Sequence, residues 1–480
     1  MRERSKFYRV LLYILPAVLY FSYYPLISFG SNESMHFEIS LPIIWLVVFD
    51  VVSLVLVIKR KLVSEAFSKW RYFIFPIVAT FSLIWSANRI RGLLTIGVLW
   101  LIFFAMFSFY LLREEFKEKN FWRNLWRVFI GSSLVVVAWC LIQCILDVMG
   151  VPRENTLMCE GCVSTTFGFP HPNGFAIEPQ FMGNLLLAPT IMTGIFWFND
   201  HSKKMLALLF VLLFGVFLTF SRGAIYALIV AMIFFTAMKI VETKKAKALL
   251  IWPVIILSFV FTLNVQGMLA AVSPTDDTYF SGISKVLNHL SLGIIDFRTK
   301  DSGEVGAVVK GDVILEDPAE YLPPDPNALI HEEERLKEEA GEEVTNKRSS
   351  FDGYVEDSTN IRMQLTGAAM KTWVKNPVTI LFGVGIGGAG QAMYDAGNVD
   401  WPKEIVQNEY ASLLLETGLI GTIALAINGV MVLKQLKKSK QFGLTLTVLV
   451  GYGITLLFFA GLPNVIHLYL IPAIMPYGRN

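Results

Sequence analysis

The sequence predicts an all-α polytopic membrane protein with about twelve transmembrane helices and one large extracytoplasmic loop between the ninth and tenth. Three observations carry this. The 480 residues are 54% hydrophobic and only 17% charged, against about a quarter charged in soluble domains, and mean hydropathy is +0.54. Apolar runs repeatedly reach the roughly 20 residues that span a hydrocarbon core. The connections between those runs alternate between basic and nearly free of Lys and Arg, as the positive-inside rule requires. The net charge of +2 is uninformative, because the charges are segregated by compartment. No basic patch interleaves with aromatics, so nothing supports nucleic-acid binding.

The first element follows the basic stretch MRERSKFYRV. Its apolar run to about Gly30 is long for a signal-peptide core and no clear A-x-A site follows, so it reads as an uncleaved first span. The spans are expected at 8–30, 41–58, 72–87, 92–112, 127–149, 173–197, 205–220, 223–240, 247–265, 408–432, 443–460 and 464–478. The basic connections are 2–9, Lys59 to Arg71, Arg113 to Arg127, Lys203/Lys204, Lys239 to Lys247, and Lys434 to Lys440. Twelve spans with both termini in the cytoplasm fit every one of them. The chain then divides into a nine-helix membrane region (1–265), an outer loop (266–407) and a three-helix membrane region (408–480).

Residues 205–238 would form a helix of about 50 Å at 1.5 Å per residue, too long for one span and short for two. Ser221-Arg222-Gly223 is therefore expected to be a tight turn between short spans, with Gly223 supplying the backbone freedom. The outer loop is acidic, with 23 Asp/Glu against 12 Lys/Arg. Within it a solvated helix is expected from Asp325 or Asn327 to about Ala340. From 360 to 374 Ile361, Leu365, Ala368, Ala369 and Trp373 recur at helical spacing, and NPVTILFGVGIGGAG (376–390) follows as a Gly-rich turn segment. Cys140 and Cys144, one turn apart in the fifth span, read as core residues. Cys159 and Cys162 lie in an outer connection, where a local disulfide is the favoured reading if the compartment is oxidising.

The outer connections carry Arg89, Arg91, Arg153 and Arg222 against the trend. Reading outward from Arg222, the nearest charged side chains are Lys204 and Lys239. An arginine at headgroup depth either snorkels with no chemical role or holds an anion with its planar fork. Together with His171, Glu178, Arg362, Gln407, Asn408, Glu409 and Glu416 these arginines form an outward-facing constellation suited to a lipid-linked diphosphate. Positioned cations stabilise a leaving diphosphate, and an acceptor hydroxyl needs a base. Glu178, expected inside the sixth span, His171 and Glu409 are the candidate bases. Competing readings are a Glu178 satisfied by Arg222 or a backbone group, a surface His171, and a Glu416 that only buttresses helix packing. Asp50, midway through the second span, has no evident partner. No cofactor is indicated. Nor is a metal, since the first outer connection, SNESMHFEIS, lacks an Asp-x-Asp pair. GVGIGG follows no βαβ unit and does not indicate a nucleotide.

These residues resemble the O-antigen ligase and polymerase superfamily of bacterial envelope enzymes. FLTFSRGAIYAL is similar to its Ser-Arg-Gly-Ala span. Arg362 followed by NPVTILFGVGIGG is similar to its Arg, Pro, Gly-x-Gly segment, and QNEYASLLLETGLIG (407–421) to the segment that in ligases reads His-Asn, Leu, Glu-x-Gly-x-x-Gly. The resemblance implies a GT-C-like membrane fold in the bacterial inner membrane. It also implies inverting, metal-independent glycosyl transfer from a polyprenyl-diphosphate-linked oligosaccharide donor. Arg222 and Arg362 would hold the diphosphate, with Arg89 and Arg91 as further candidates, and Gln407, Asn408 and Glu416 would shape the acceptor site. The ligase histidine falls on Gln407, which cannot act as a base. That favours polymerase-type transfer onto a lipid-linked repeat unit over transfer onto lipid A-core, with a chain-length regulator as a further partner. A transporter or flippase of twelve spans is the alternative from another class; it predicts internal repeats, and no convincing repeat is present.

Overall fold

A computed structural model describes residues 5–22, 25–29, 37–117, 120–164, 168–243, 246–273, 278–291, 354–437, 439, 441–459 and 465–477. Each of the twelve apolar stretches contains a helix. In chain order they are α1 (Lys6–Leu19), α2 (Leu41–Lys59), α3 (Ile74–Ser82), α4 (Arg89–Leu111), α5 (Phe121–Val148), α6 (Pro179–Asp200), α7 (Lys203–Leu218), α8 (Arg222–Thr243) and α9 (Ile251–Val272). Next come α10 (Tyr279–Leu290), α11 (Tyr354–Trp373), α12 (Pro377–Phe382) and α13 (Ala389–Asp395), then α14 (Glu409–Leu436), α15 (Phe442–Thr455) and α16 (Ile466–Ile474). Seven of the described helices, α2, α4, α5, α6, α8, α9 and α14, are long and apolar enough to cross a membrane. The chain is an all-α polytopic membrane protein. The helix expected at 325–340 lies outside the described residues.

Several boundaries differ from the hydropathy reading, each for a local reason. The first span does not run to residue 30. α1 stops at Leu19, where the Ser22 hydroxyl takes the Leu19 carbonyl, and Pro25–Phe29 pairs antiparallel with Phe37–Ser40 as a two-stranded sheet. Such β-branched and aromatic runs suit a strand as well as a span. α4 begins at Arg89, not 92, because the Asn88 side chain caps it by accepting the Arg91 N–H. α6 begins at Pro179, not 173. Glu178 is therefore the residue before the helix rather than a carboxylate inside it, its extended backbone (φ −134°, ψ 154°) set by the following proline. α9 continues to Val272, past the expected end of the ninth span.

The helices share one apolar core, in which Cys140 and Cys144 are fully buried. α8 lies between α6 and α15, α7 packs on α6 and α9, and α14 packs on α3 and on α11. Polar clamps fix the joints. Asn428 of α14 accepts the Phe75 N–H at 3.1 Å and donates to the Tyr72 carbonyl at 2.8 Å, satisfying backbone groups at the start of α3 that have no partner within their own helix. Asp50 is buried, and neither of its oxygens has a hydrogen-bond partner among the described residues.

Candidate functional site

The turn at 219–222 joins α7 to α8 as the spacing predicts, but the strained residue is not Gly223. Phe220 takes the left-handed backbone, with φ 45°. Its ring is fully buried against Phe169, 5.3 Å between centroids, and that burial offsets a cost of about 1–3 kcal/mol. Gly223 serves close packing instead, since a Cβ there would lie 3.1 Å from the Phe458 Cβ. Ser221 caps α8 by accepting the Ala224 N–H at 3.3 Å. Arg222 is thus the first helical residue, where the helix dipole is already positive and a cation is unfavourable. The same two features together make the turn a strong attractor of anions.

The loop before α6 is pinned around this turn. Gln143 of α5 donates to the Thr156 carbonyl at 3.0 Å and accepts the Gly174 N–H at 2.8 Å. Gln266 of α9 donates to the Pro170 carbonyl at 3.2 Å, and the His171 N–H reaches the Cys162 carbonyl at 2.9 Å. Cys162 is disulfide-bonded to Cys159, so the crosslink expected from the sequence braces this loop. His171 is not a surface residue. Its ring reaches the Thr219 and Phe220 carbonyls, and burial pushes its pKa down to about 3, with the nearby Arg222 charge adding to the effect.

α10 closes the cluster from the other side. Tyr226 of α8 donates to the Leu290 carbonyl at 2.9 Å, and His289 Nε2 lies 3.2 Å from the Phe220 carbonyl oxygen. The His171 and His289 rings are 5.8 Å apart. Burial, then His171 and Arg222, hold His289 well below the usual histidine range, so at neutral pH it is an uncharged donor. Arg362 of α11 lies within electrostatic reach of both Arg222 and Glu178. The Glu178 carboxylate keeps solvent contact yet is crowded by protein. Burial raises its pKa, and the Arg362 charge partly offsets the rise.

The structure thus brings His171, Glu178, Arg222 and Arg362 together. A second group forms around α14. Arg91, Glu404, Glu409 and Glu416 line a small cavity of about 30 Å³. The Glu416 carboxylate accepts the Gly387 and Ala389 N–H groups and faces Arg91. Glu409 donates its N–H to the Leu456 carbonyl at 2.9 Å. Asn408 caps α14 through the Ala411 N–H at 3.1 Å, and Gln407 is the half-buried residue before it. Arg89 is exposed and turns back to the Ile84 carbonyl. His289 and Tyr226 were not legible in the sequence. One signal existed for His289: it closes an amphipathic segment, YFSGISKVLNHL, but without a motif.

Residues 207–426 match the family model described as O-antigen ligase. The chain carries an O-antigen ligase-family domain. This agrees with the resemblance read from its motifs and supports O-antigen ligase-type glycosyl transfer at the membrane. No curated protein matches the chain. The O-antigen ligase-family region starts within α7 and ends within α14, so it contains Arg222, His289, Arg362, Gln407, Glu409 and Glu416. Glu178, His171 and Arg91 come from outside it, supplied by helices and loops that pack on the family region.

Proposed function

We propose that this protein takes a glycan from a polyprenyl-diphosphate donor at the outer face of the bacterial cytoplasmic membrane and joins it to a second lipid-linked repeat unit. The observation that carries the reading is the convergence of Arg222 and Arg362 at the dipole-positive start of α8. Two like charges held close repel, and a diphosphate gripped by both would offset that repulsion. In the inverting step the acceptor hydroxyl oxygen bonds to the anomeric carbon as the carbon–oxygen bond to the diphosphate breaks. The electron pair leaves with the polyprenyl diphosphate, held by the two guanidinium groups. The hydroxyl proton passes to Glu178, whose raised pKa suits a general base. Gln407 cannot take that part. Both termini then lie in the cytoplasm, and 266–407 is the outer region between the nine-helix and three-helix membrane parts.

The ligase form, with lipid A-core as acceptor, is favoured by the description of the matching family. A glycan profile of a deletion strain, complemented with wild type or Arg222→Ala, separates the two. Loss of long chains with single repeats still on the final carrier identifies a polymerase. Long polymer trapped on the prenyl lipid with bare carrier identifies a ligase. Full restoration by Arg222→Ala would overturn the diphosphate role.

A further inference from the structure

At the end of the bundle opposite Arg222, a cavity of about 270 Å³ opens between α1, α5, α6, α7, α15 and α16. Its depth is hydrocarbon: Leu19, Phe129, Met192, Phe196 and Leu444 are among its walls. Its polar groups, Arg123, Asp200 and Gln441, all sit at or next to helix termini on one side, beside Trp122. On α6 the lining residues Met192, Phe196 and Asp200 recur every fourth position. One helix face therefore leads from apolar depth to charged mouth over about 12 Å. The cavity is separate from the diphosphate-facing cluster: Glu178 and Asp200 lie at opposite ends of α6, which is about 33 Å long.

The apolar depth of the cavity suits hydrocarbon better than water, and the surroundings of these helices are lipid. A tryptophan at the mouth is the usual marker of the headgroup boundary. The two opposite charges at the mouth decide the headgroup. Arg123 attracts a phosphate, whereas Asp200 attracts an ammonium and repels a purely anionic headgroup. We propose that the cavity holds an acyl chain of an amine-bearing zwitterionic phospholipid, its phosphate at Arg123 and its ammonium at Asp200. This site is independent of the glycosyl-transfer reading.

The test uses the full-length protein in nanodiscs of equal phosphatidylethanolamine and phosphatidylglycerol, extracted into detergent, with retained lipid counted by native mass spectrometry. Wild type is expected to keep one phosphatidylethanolamine in preference to phosphatidylglycerol. Asp200→Asn should lower that preference about two- to fivefold, the worth of a solvent-exposed ion pair. Leu444→Trp, which fills the cavity, should abolish retention. Because Leu444→Trp could disturb folding, the exposed Asp200→Asn carries the charge test alone. Equal retention of both lipids by wild type, a preference unchanged in Asp200→Asn, or a polyprenyl lipid as the retained species would each overturn the proposal.

Discussion

His289 Nε2 lies 3.2 Å from the carbonyl oxygen of Phe220, the left-handed residue that aims Arg222. The contact joins α10 to the left-handed turn between α7 and α8. Neutral at physiological pH, His289 donates where a charged imidazolium would add to the repulsion already present between Arg222 and Arg362. His289→Phe keeps the ring volume and removes the donor. The expected result is a fall in glycan transfer of about ten- to a hundredfold, the scale of a small misplacement of a catalytic group, with protein levels in the membrane unchanged. His289→Gln, which can still donate, should recover part of it. Equal activity of the Phe variant and wild type would refute this.

Arg222→Lys and Arg362→Lys retain charge but lose the two-pronged guanidinium geometry. Each should lower kcat/KM by about 10²–10³-fold if both forks grip the leaving diphosphate. A snorkelling arginine would tolerate lysine. A lipid-linked donor assay with purified protein distinguishes the two, and near-wild-type activity of either variant would remove that residue from the clamp.

The fold class was legible because hydropathy reports which stretches leave water, and nothing else about this chain competes with that signal. Helix ends were not, because caps set them. Asn88 extends α4 back to Arg89, while the Glu178–Pro179 step starts α6 six residues later than its apolar count. Leu19 ends α1 although apolar residues continue, since PLISF pairs as a strand. In the site, Arg222 stood out as a lone charge in an apolar run and Arg362 through a motif. His289 closes an amphipathic segment that carries no motif and gains meaning only when α10 docks on Phe220. The separation of the candidates into an Arg222 group and an Arg91–Glu416 group is likewise tertiary, because both sets sit near span ends.

Glu178 should govern the acid limb of the pH profile. Burial raises its pKa above the ordinary glutamate value and Arg362 opposes the rise, so a base there loses activity as pH falls through that raised pKa. Removing the opposing charge in Arg362→Gln must move that limb to higher pH. Glu178→Gln should abolish it along with most activity. A limb that stays in place in Arg362→Gln, measured on kcat/KM, would show that another group titrates.

His171 bears on stability, and its pKa is shifted the other way. Its folded-state pKa is about 3 against an ordinary 6.5, so between those values the unfolded chain binds more protons than the folded one. Stability contributed by the neutral ring is complete above pH 6.5 and declines as pH falls toward 3. Unfolding midpoints of detergent-solubilised protein should therefore drop across that window, and His171→Phe should flatten the drop. An unchanged slope in the variant would mean that the ring is not the titrating group.

The glycines of GVGIGG make the last case, because their role is steric. The segment threads between the start of α4 and the stretch of α14 just before its helical backbone breaks at Gly418 (φ 63°), where Val384 and Gly385 donate to the Leu415 and Glu416 carbonyls at 2.8 and 2.9 Å. Gly385 has φ +90°, and a Cβ on it would fall inside the backbone of Ser86. Gly387 has φ +76°, and its Cβ would lie 2.5 Å from the Gly92 nitrogen. Neither obstacle is a flexible side chain that can turn away. Alanine at either site combines left-handed strain of about 1–2 kcal/mol with overpacking of about 1–3 kcal/mol, so the unfolding midpoint should fall by several degrees or the protein should fail to accumulate. Gly367 on α11 is the control: a Cβ there meets nothing within 4 Å, and Gly367→Ala should be neutral or stabilising by up to about 1 kcal/mol. Since Gly387 also donates its N–H to Glu416 opposite Arg91, activity lost in Gly387→Ala should track the lost stability. Normal stability with lost activity would instead assign the segment a direct part in substrate binding.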